Sequence, residues 1–448
     1  MFSKTKYPRC SECAFLGSKD NQDVCYRNYP PIPNFMPDCK MRLYNNGPWI
    51  SAFIKRHSWL MELDELFGKE IIDMSTATLD EKKARAKQFL SKYAKSTLEK
   101  GSSVVADFAE KLPEQFQSFQ RMNLGIPSID SFFGGGLPLG GLITLFGDTS
   151  VGKTSLCLAI TSAAQKAGKL VLYCDAEGTL DMSWARTLGV DTANMVYIGS
   201  DVPPDENFTP ATLEDYLNAI VSSMNDNIFD LAVIDSLDAM MARGRVQSKK
   251  GKKRDLDDDD IALKARKLSD FYPRIIGSLR AGSHGLIQIG QMRATGIGSA
   301  FVTQTMSGGN ARKFYDLLTL RLSRGDKASA PMDGDTPVGY GLNIRATKSK
   351  ISGIKEGQTT STAFFFGTGF DPVYEMVLAA MANGAIAKKS AASVELTTVD
   401  GRVIPIRYGK EYRIANYIKE NNLVDDLRAV ATGELTPDVE AALGEGEE

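Results

Sequence analysis

The sequence predicts an α/β fold with a mostly parallel central sheet, a small cysteine-bearing module ahead of it and a small α+β domain behind. Three observations predict it. The apolar run Leu142 to Phe146 enters a glycine-rich loop, GDTSVGKT, and leaves it in the helical pattern SLCLAITSAAQKAG, the strand–loop–helix order from which parallel sheets are built. A second apolar run, Asp230 to Asp235, ends in an acid, as a buried strand does where a site sits at the sheet's carboxyl edge. After about residue 370 the pattern changes to a helix, the alternating VELTTVDGRVIPIRYG, and a helix at YRIANYIKENNL. These shifts set expected limits: 1–60 for the cysteine module, 61–120 for a linker and helical oligomerisation segment, 121–368 for the core, 369–432 for the C-terminal domain and 433–448 for an acidic tail.

Composition narrows the class. In 448 residues, 53 Lys+Arg stand against 55 Asp+Glu and 43% are hydrophobic, which suits a globular chain with a real core. No stretch approaches the roughly 18 apolar residues that a membrane span needs, and MFSKTKYPRC is not followed by the apolar run of a secretory leader. A cytoplasmic protein without a membrane partner is the expectation. Charge is uneven: residues 1–60 carry nine Lys/Arg against four Asp/Glu, and 411–448 carry three against ten. A basic module near an anionic partner with a competing acidic tail fits this, as do two solvated faces.

Four of the six cysteines fall within the first 39 residues. Cys10 and Cys13 form a C-x-x-C knuckle, followed by Cys25 and Cys39. Four soft thiolates can surround one Zn²⁺ tetrahedrally, and a segment too short for its own core needs such a staple. Reduced thiols or an iron–sulfur cluster are the other readings. Cys157 and Cys174 sit in apolar runs and read as small buried hydrophobes.

Between about 79 and 100, Leu79, Ala86, Phe89, Leu90, Tyr93 and Leu98 recur near helical spacing among lysines. This amphipathic helix suits packing on a neighbouring subunit or on its own domain. The glycines of FFGGGLPLGG then break the chain before the core.

The loop at 147–154 fits G-x-x-x-x-G-K-[ST] completely. Its backbone N–H groups, from Gly147, Asp148, Thr149, Ser150, Val151 and Gly152 through Ser155, would cradle phosphates at a helix N-terminus. Lys153 would reach the terminal phosphates and Thr154 would ligate Mg²⁺. ATP and Mg²⁺ are therefore the expected substrate and cofactor. Hydrolysis needs further carboxylates: Asp235 stands at a strand end for the metal shell, and Glu177, in Cys174-Asp175-Ala176-Glu177, can polarise a water. An acid after a strand is commonly a turn or cap residue; beside a phosphate loop the catalytic reading outweighs that one.

These segments, with EKGSSVV, GGGLPLGGLITLFGDTSVGKTSL, YCDAEGTLDMSWARTLGVD, LAVIDSL, GLIQIGQMR, GGNARKFY and ATKSKISG, make the chain resemble the RecA recombinase family over roughly residues 80 to 430, in its phage-encoded branch. The resemblance implies a RecA-type P-loop ATPase core that forms a helical homo-oligomeric filament on single-stranded DNA and pairs it with a homologous duplex, with single-strand-binding and loader proteins as partners. A phage protein would act in its host's cytoplasm. Residue by residue, the resemblance makes Glu177 the water-activating carboxylate, Asp235 the Walker B acid and Gln291 the sensor between γ-phosphate and a DNA loop. It implies that Asp181 and Trp184 contact adenine, that Lys348 and Lys350 reach a neighbour's ATP as transition-state cations, and that Lys313, Phe314 and Tyr315 lie at a subunit interface.

Two loops are expected to hold DNA. The first, Arg243 to Asp260, carries seven Lys/Arg, Arg243, Arg245, Lys249 and Lys250 among them, followed by five Asp. The second, Met292 to Gly309, holds Arg293, Phe301, Gly308 and Gly309 among Gly, Ser and Thr and reads as mobile without a ligand. Backbone amides, arginine and an aromatic ring bind such a strand without selecting sequence. The charged first loop, Gly290 before Gln291, and Thr319 where the bacterial form commonly has an interface arginine depart from the family pattern. The cysteines, with the opening NLGIPSIDSFFGGGL, also resemble RadA-type branch-migration helicases, which lack a match here for their K-N-R-F-G motif. A non-hydrolysing, zinc-dependent DNA-binding scaffold is the third reading.

Overall fold

The computed structural model describes residues 16–19, 22–25, 78–100, 105–200, 211–246, 261–295, 303–306 and 311–432. Two compact units divide between Asp107 and Phe108. In the first, β1 (Leu16–Lys19) and β2 (Gln22–Cys25) pair antiparallel. Helix α1 (Leu79–Glu99) opens with a capping box: Thr78 accepts from Glu81 N, and the Glu81 carboxylate accepts from Thr78 N. Phe89 stacks on Tyr93 at 5.5 Å, yet no residue of α1 is buried.

The second unit opens with α2 (Glu114–Gln117), β3 (Arg121–Met122), α3 (Pro127–Phe132) and β4 (Leu137–Pro138). The strands of the large sheet are β5 (Gly141–Gly147), β6 (Val171–Asp175), β7 (Met195–Gly199), β8 (Leu231–Asp235), β9 (Gly285–Thr295), β10 (Thr303–Met306), β11 (Asp316–Arg324), β14 (Gly339–Ser349), β15 (Thr359–Phe365) and β16 (Gly369–Phe370). The small pair β12 (Met332–Asp333) and β13 (Thr336–Pro337) lies between. The large sheet runs β16-β15-β14-β11-β5-β9-β8-β6-β7, with β10 paired to β9.

The sheet is mixed rather than mostly parallel. From β11 to β7 every neighbour is parallel, but β14, β15 and β16 continue it antiparallel. Connection length decides this. Parallel neighbours require crossovers, supplied by α4 (Lys153–Lys166), α5 (Met182–Thr187), α6 (Leu213–Asn225), the short α7 (Arg243–Val246) and α8 (Ile261–Gly282). Beyond β11 the links carry no crossover α-helix, only turns and the small β12–β13 pair, and the chain returns beside itself. The second expected loop also holds more order than its composition suggested: β9 extends to Thr295 and pairs with β10, Met306 opposite Met292. The short helix α9 (Ala311–Tyr315) then leads into β11.

The inner parallel strands β5, β6 and β8 are buried on both faces, and their alternate residues belong to two cores. Ile143, Leu145, Val171, Tyr173, Leu231 and Val233 meet α3 and α4 on one face. Leu142, Leu172, Cys174, Ala232 and Ile234 meet α6 and α8 on the other. Cys157 and Cys174 are buried free thiols, one in each core. A third core forms where Ala363 and Phe365 of β15 meet α10 (Pro372–Ala382), α11 (Glu411–Glu420), α12 (Val424–Thr432) and the antiparallel sheet β17 (Ile386–Ser390), β18 (Ser393–Thr397), β19 (Val403–Ile406). Buried Glu375 of α10 accepts from Ser128 N and Oγ, both at 2.8 Å, and stitches α10 to α3. Among the described residues no helix is long and apolar enough to cross a membrane.

Candidate active site

Strand β5 ends at Gly147, whose φ is +155°; a Cβ there would lie 2.2 Å from Leu322 O on β11, so only glycine lets the loop turn this close to the next strand. The loop closes at Gly152, a left-handed N-cap with φ 99° and no capping side chain, which leaves the first amides of α4 for a ligand. Lys153 Nζ donates back to Gly147 O at 3.0 Å and Asp148 O at 2.7 Å. Burial pulls its pKa down against the opposing charges of Asp235 and Glu177.

Asp235, at the carboxyl end of β8, accepts on one oxygen from both Thr154 Oγ1 and Tyr173 OH, each at 2.8 Å. Burial raises its pKa, while the two hydroxyls pull it back. Glu177 accepts from Ser236 Oγ and, at 3.1 Å, from Gln291 Nε2. Asp175 sets the turn that presents Glu177: its carboxylate accepts from Glu177 N, Gly178 N and Leu180 N at 2.8–3.1 Å. Gln291 is held in turn, its N–H donating to Asp238 at 2.7 Å. The ends of β5, β6 and β8, with β9 beside them, thus bring Lys153, Thr154, Asp235, Glu177 and Gln291 to one open cleft of about 490 Å³.

Arg324, Tyr340, Phe364 and Phe366 are among the cleft residues that escaped the sequence reading. Arg324 donates to Ser150 O at 3.0 Å and lies 4.5 Å from the Tyr340 ring centre; Tyr340 OH reaches Val151 O at 3.4 Å. The run AFFFG at the end of β15 is the signal that would have found the phenylalanines. Trp184 lines the cleft and donates from Nε1 to Ser155 Oγ at 3.1 Å. Asp181 caps α5, accepting from Ser183 N and Trp184 N; its carboxylate presents Trp184.

Lys348 and Lys350 do not line this cleft. Lys348 pairs with Thr319, itself level with Thr144, so it stands about 10 Å back from Gly147 along the sheet and two strands across. Lys350 donates from Nζ to Phe314 O. Arg243 is engaged in an ion pair with Asp215, and its N–H donates to Glu214. Arg245 lies in α7 and Arg293 in β9, but their side chains, with Lys249, Lys250, Phe301, Gly308 and Gly309, lie outside the described residues. So do Cys10, Cys13 and Cys39, while Cys25 ends β2. Among the described residues no cluster of three or more His, Cys, Asp or Glu groups could hold a metal. A P-loop Mg²⁺ site needs none, since it takes one hydroxyl and one acid from the protein and the rest from phosphates and water; the hydrogen-bonded Thr154–Asp235 pair fits that donor set.

The RecA N-terminal domain family matches residues 94–371, more than half of the chain and all of this cleft. The chain belongs to the RecA family. It is 29% identical over 309 residues to Protein RecA of Thermotoga neapolitana, covering 68% of this chain and 81% of that one. It is 29% identical over 334 residues to Protein RecA of Mannheimia haemolytica, covering 73% and 84%. A plasmid RecA of Lactococcus lactis is 29% identical over 273 residues, covering 61% and 73%. Members of the RecA family are DNA-dependent ATPases, and the cleft carries the residue types that such chemistry uses.

Proposed function

We propose that this protein is an ATP-dependent recombinase that assembles as a helical filament on single-stranded DNA and pairs that strand with a homologous duplex. One observation carries the reading: the cleft gathers a phosphate loop, a metal-type acid, a water-activating carboxylate and a glutamine, while Lys348 and Lys350 stand on the far side of β11. A neighbouring copy that presents these lysines to the cleft would complete the site, and repetition of that contact makes a filament.

Thr154 and Asp235 would hold Mg²⁺, which when bound neutralises charge on the β- and γ-phosphates. Lys153 would leave its two carbonyls for the terminal phosphates. Glu177, fixed by Ser236 and Gln291, would accept the proton of the attacking water, and the neighbour's lysines would stabilise charge on the transferring group. Trp184 and the exposed Phe366 offer aromatic faces for the base. Because Gln291 touches Glu177 and begins the segment that runs to β10, occupancy of the cleft and the state of that segment would be linked. Sequence would be read by base pairing rather than by the protein.

Strand invasion tests this. A labelled single strand, ATP and Mg²⁺ should give joint molecules with a homologous supercoiled duplex but not with an unrelated one, and none with Lys153→Ala. DNA-stimulated ATP turnover without joint molecules would instead indicate a branch-migration motor. The cysteine set Cys10, Cys13, Cys25 and Cys39 is assigned to structural zinc on spacing alone. Metal analysis should find zinc in the wild type and lose it in Cys10→Ser/Cys13→Ser; equal content would remove the assignment.

A further inference from the structure

Arg312 is the largest fully buried side chain of the described residues, and nothing in the ATPase chemistry uses it. It lies on α9, the short helix that comes after the 292–309 segment and passes directly into β11. Its Nη1 meets Asp316 at 3.1 Å, with 2% and 1% of the two side chains exposed, and its Nε has no hydrogen-bond partner. Asp316 also accepts from Thr144 of β5 and Thr319 of β11, both at 2.8 Å. The chain of bonds continues: Gln288 of β9 donates to Thr144 at 2.8 Å, and Tyr272 of α8 donates to Gln288 at 3.2 Å while stacking on Tyr315 of α9 at 5.6 Å.

A buried ion pair with an unsatisfied donor is a poor way to gain stability, because apolar residues of the same volume commonly do as well. What it supplies is registry. The pair fixes α9 against β5 and β9, which three residues further on carry Gly147 of the phosphate loop and Gln291 of the cleft. On its other side α9 offers the Phe314 carbonyl to Lys350, and Asp316 acts electrostatically on Lys348. Helix α9, with Asp316 at its end, is thus bonded to the strands of the cleft and to Lys350 and acts electrostatically on Lys348.

We infer that the Arg312–Asp316 pair is a positioning device that couples single-stranded DNA on the second loop to ATP turnover, by holding α9 in register with the cleft strands and with Lys348 and Lys350. The inference rests on the recombinase reading above. Both residues act through others and touch neither nucleotide nor DNA.

The test is ATP turnover of the full chain with and without a poly-dT oligonucleotide, for the wild type and for Arg312→Met/Asp316→Asn. In that variant the amide can still bond Thr144 and Thr319 while the ion pair is gone. Thermal melting should stay cooperative and close to the wild type. Turnover without DNA and its KM for ATP should be unchanged, while stimulation by poly-dT should fall by about tenfold, within the range that coupling-network substitutions reach. Stimulation within twofold of the wild type, in a folded variant, would overturn the inference. If the double variant does not melt cooperatively, Thr319→Val, which removes one bond to Asp316, is read instead: reduced stimulation supports the inference and unchanged stimulation overturns it. A wild type that shows no stimulation at all would be a failure of the recombinase reading, seen before any variant is made.

Discussion

Two buried aspartates on the same sheet do opposite things. Asp235 and Asp316 are both buried, both pushed up in pKa by that burial, and both accept two side-chain hydroxyls. Asp316 also has Arg312 against it, whereas Asp235 has only neutral donors. A carboxylate whose charge is already matched is finished, and serves as a joint. One held by hydroxyls alone keeps its charge available, as the proposed Mg²⁺ role of Asp235 requires. Burial and hydrogen-bond count do not separate the two; the sign of the third neighbour does.

That contrast can be broken by experiment. The largest effect expected is on stability at the finished site: Asp316→Ala leaves the Arg312 guanidinium buried and unpaired, which should cost about 3–5 kcal/mol in urea denaturation. A loss below about 1 kcal/mol would mean that the arginine escapes to water and that the pair is no joint. At the open site the effect should move to chemistry. Asp235→Asn should keep the fold and lower ATP turnover by roughly 10²–10³-fold, as removal of one preorganised electrostatic group does; ordinary turnover in this variant would reassign the metal acid.

A smaller effect sharpens the picture of the cleft. Phe366→Ala should weaken binding of a fluorescent ATP analogue by about 0.5–1.5 kcal/mol, the worth of one aromatic contact, without altering the melting temperature. The smallest is a pH effect. With a folded pKa raised above the ordinary 3.8, Asp235 favours the fold when protonated; its contribution is present below 3.8 and is lost as pH rises through the folded value. Asp235→Asn should therefore be slightly more stable than the wild type at neutral pH, and the difference should shrink on acidification. A constant difference in melting temperature across that window would show that Asp235 carries no such penalty.

Much of the cleft was legible because its parts are local strings. The phosphate loop, DAEG with Glu177 and LAVIDS with Asp235 are each a strand end plus a turn, QIGQ with Gln291 is a short strand segment, and the loop and acids announce their chemistry in a few residues. Arg324 and Tyr340 were not legible, because they meet the loop only through the pairing of β11 and β14, and nothing near them in sequence points to Ser150 or Val151. Arg312 was hidden for a different reason. A lone arginine in a polar run reads as exposed, and its burial depends on an acid one turn later that stands in a strand. The antiparallel half of the sheet was missed because apolar periodicity gives strand positions but not their direction.

The C-terminal elements borrow part of their core from the main sheet: Ala363 and Phe365 of β15 pack into the core built by α10, α11, α12 and the β17–β19 sheet, and Glu375 reaches back to Ser128. A chain cut or stopped just after β15 would lose that layer and leave an oily strand face in water. Such a fragment should clump rather than stay in solution, so a cut there would remove the cleft from use instead of releasing it.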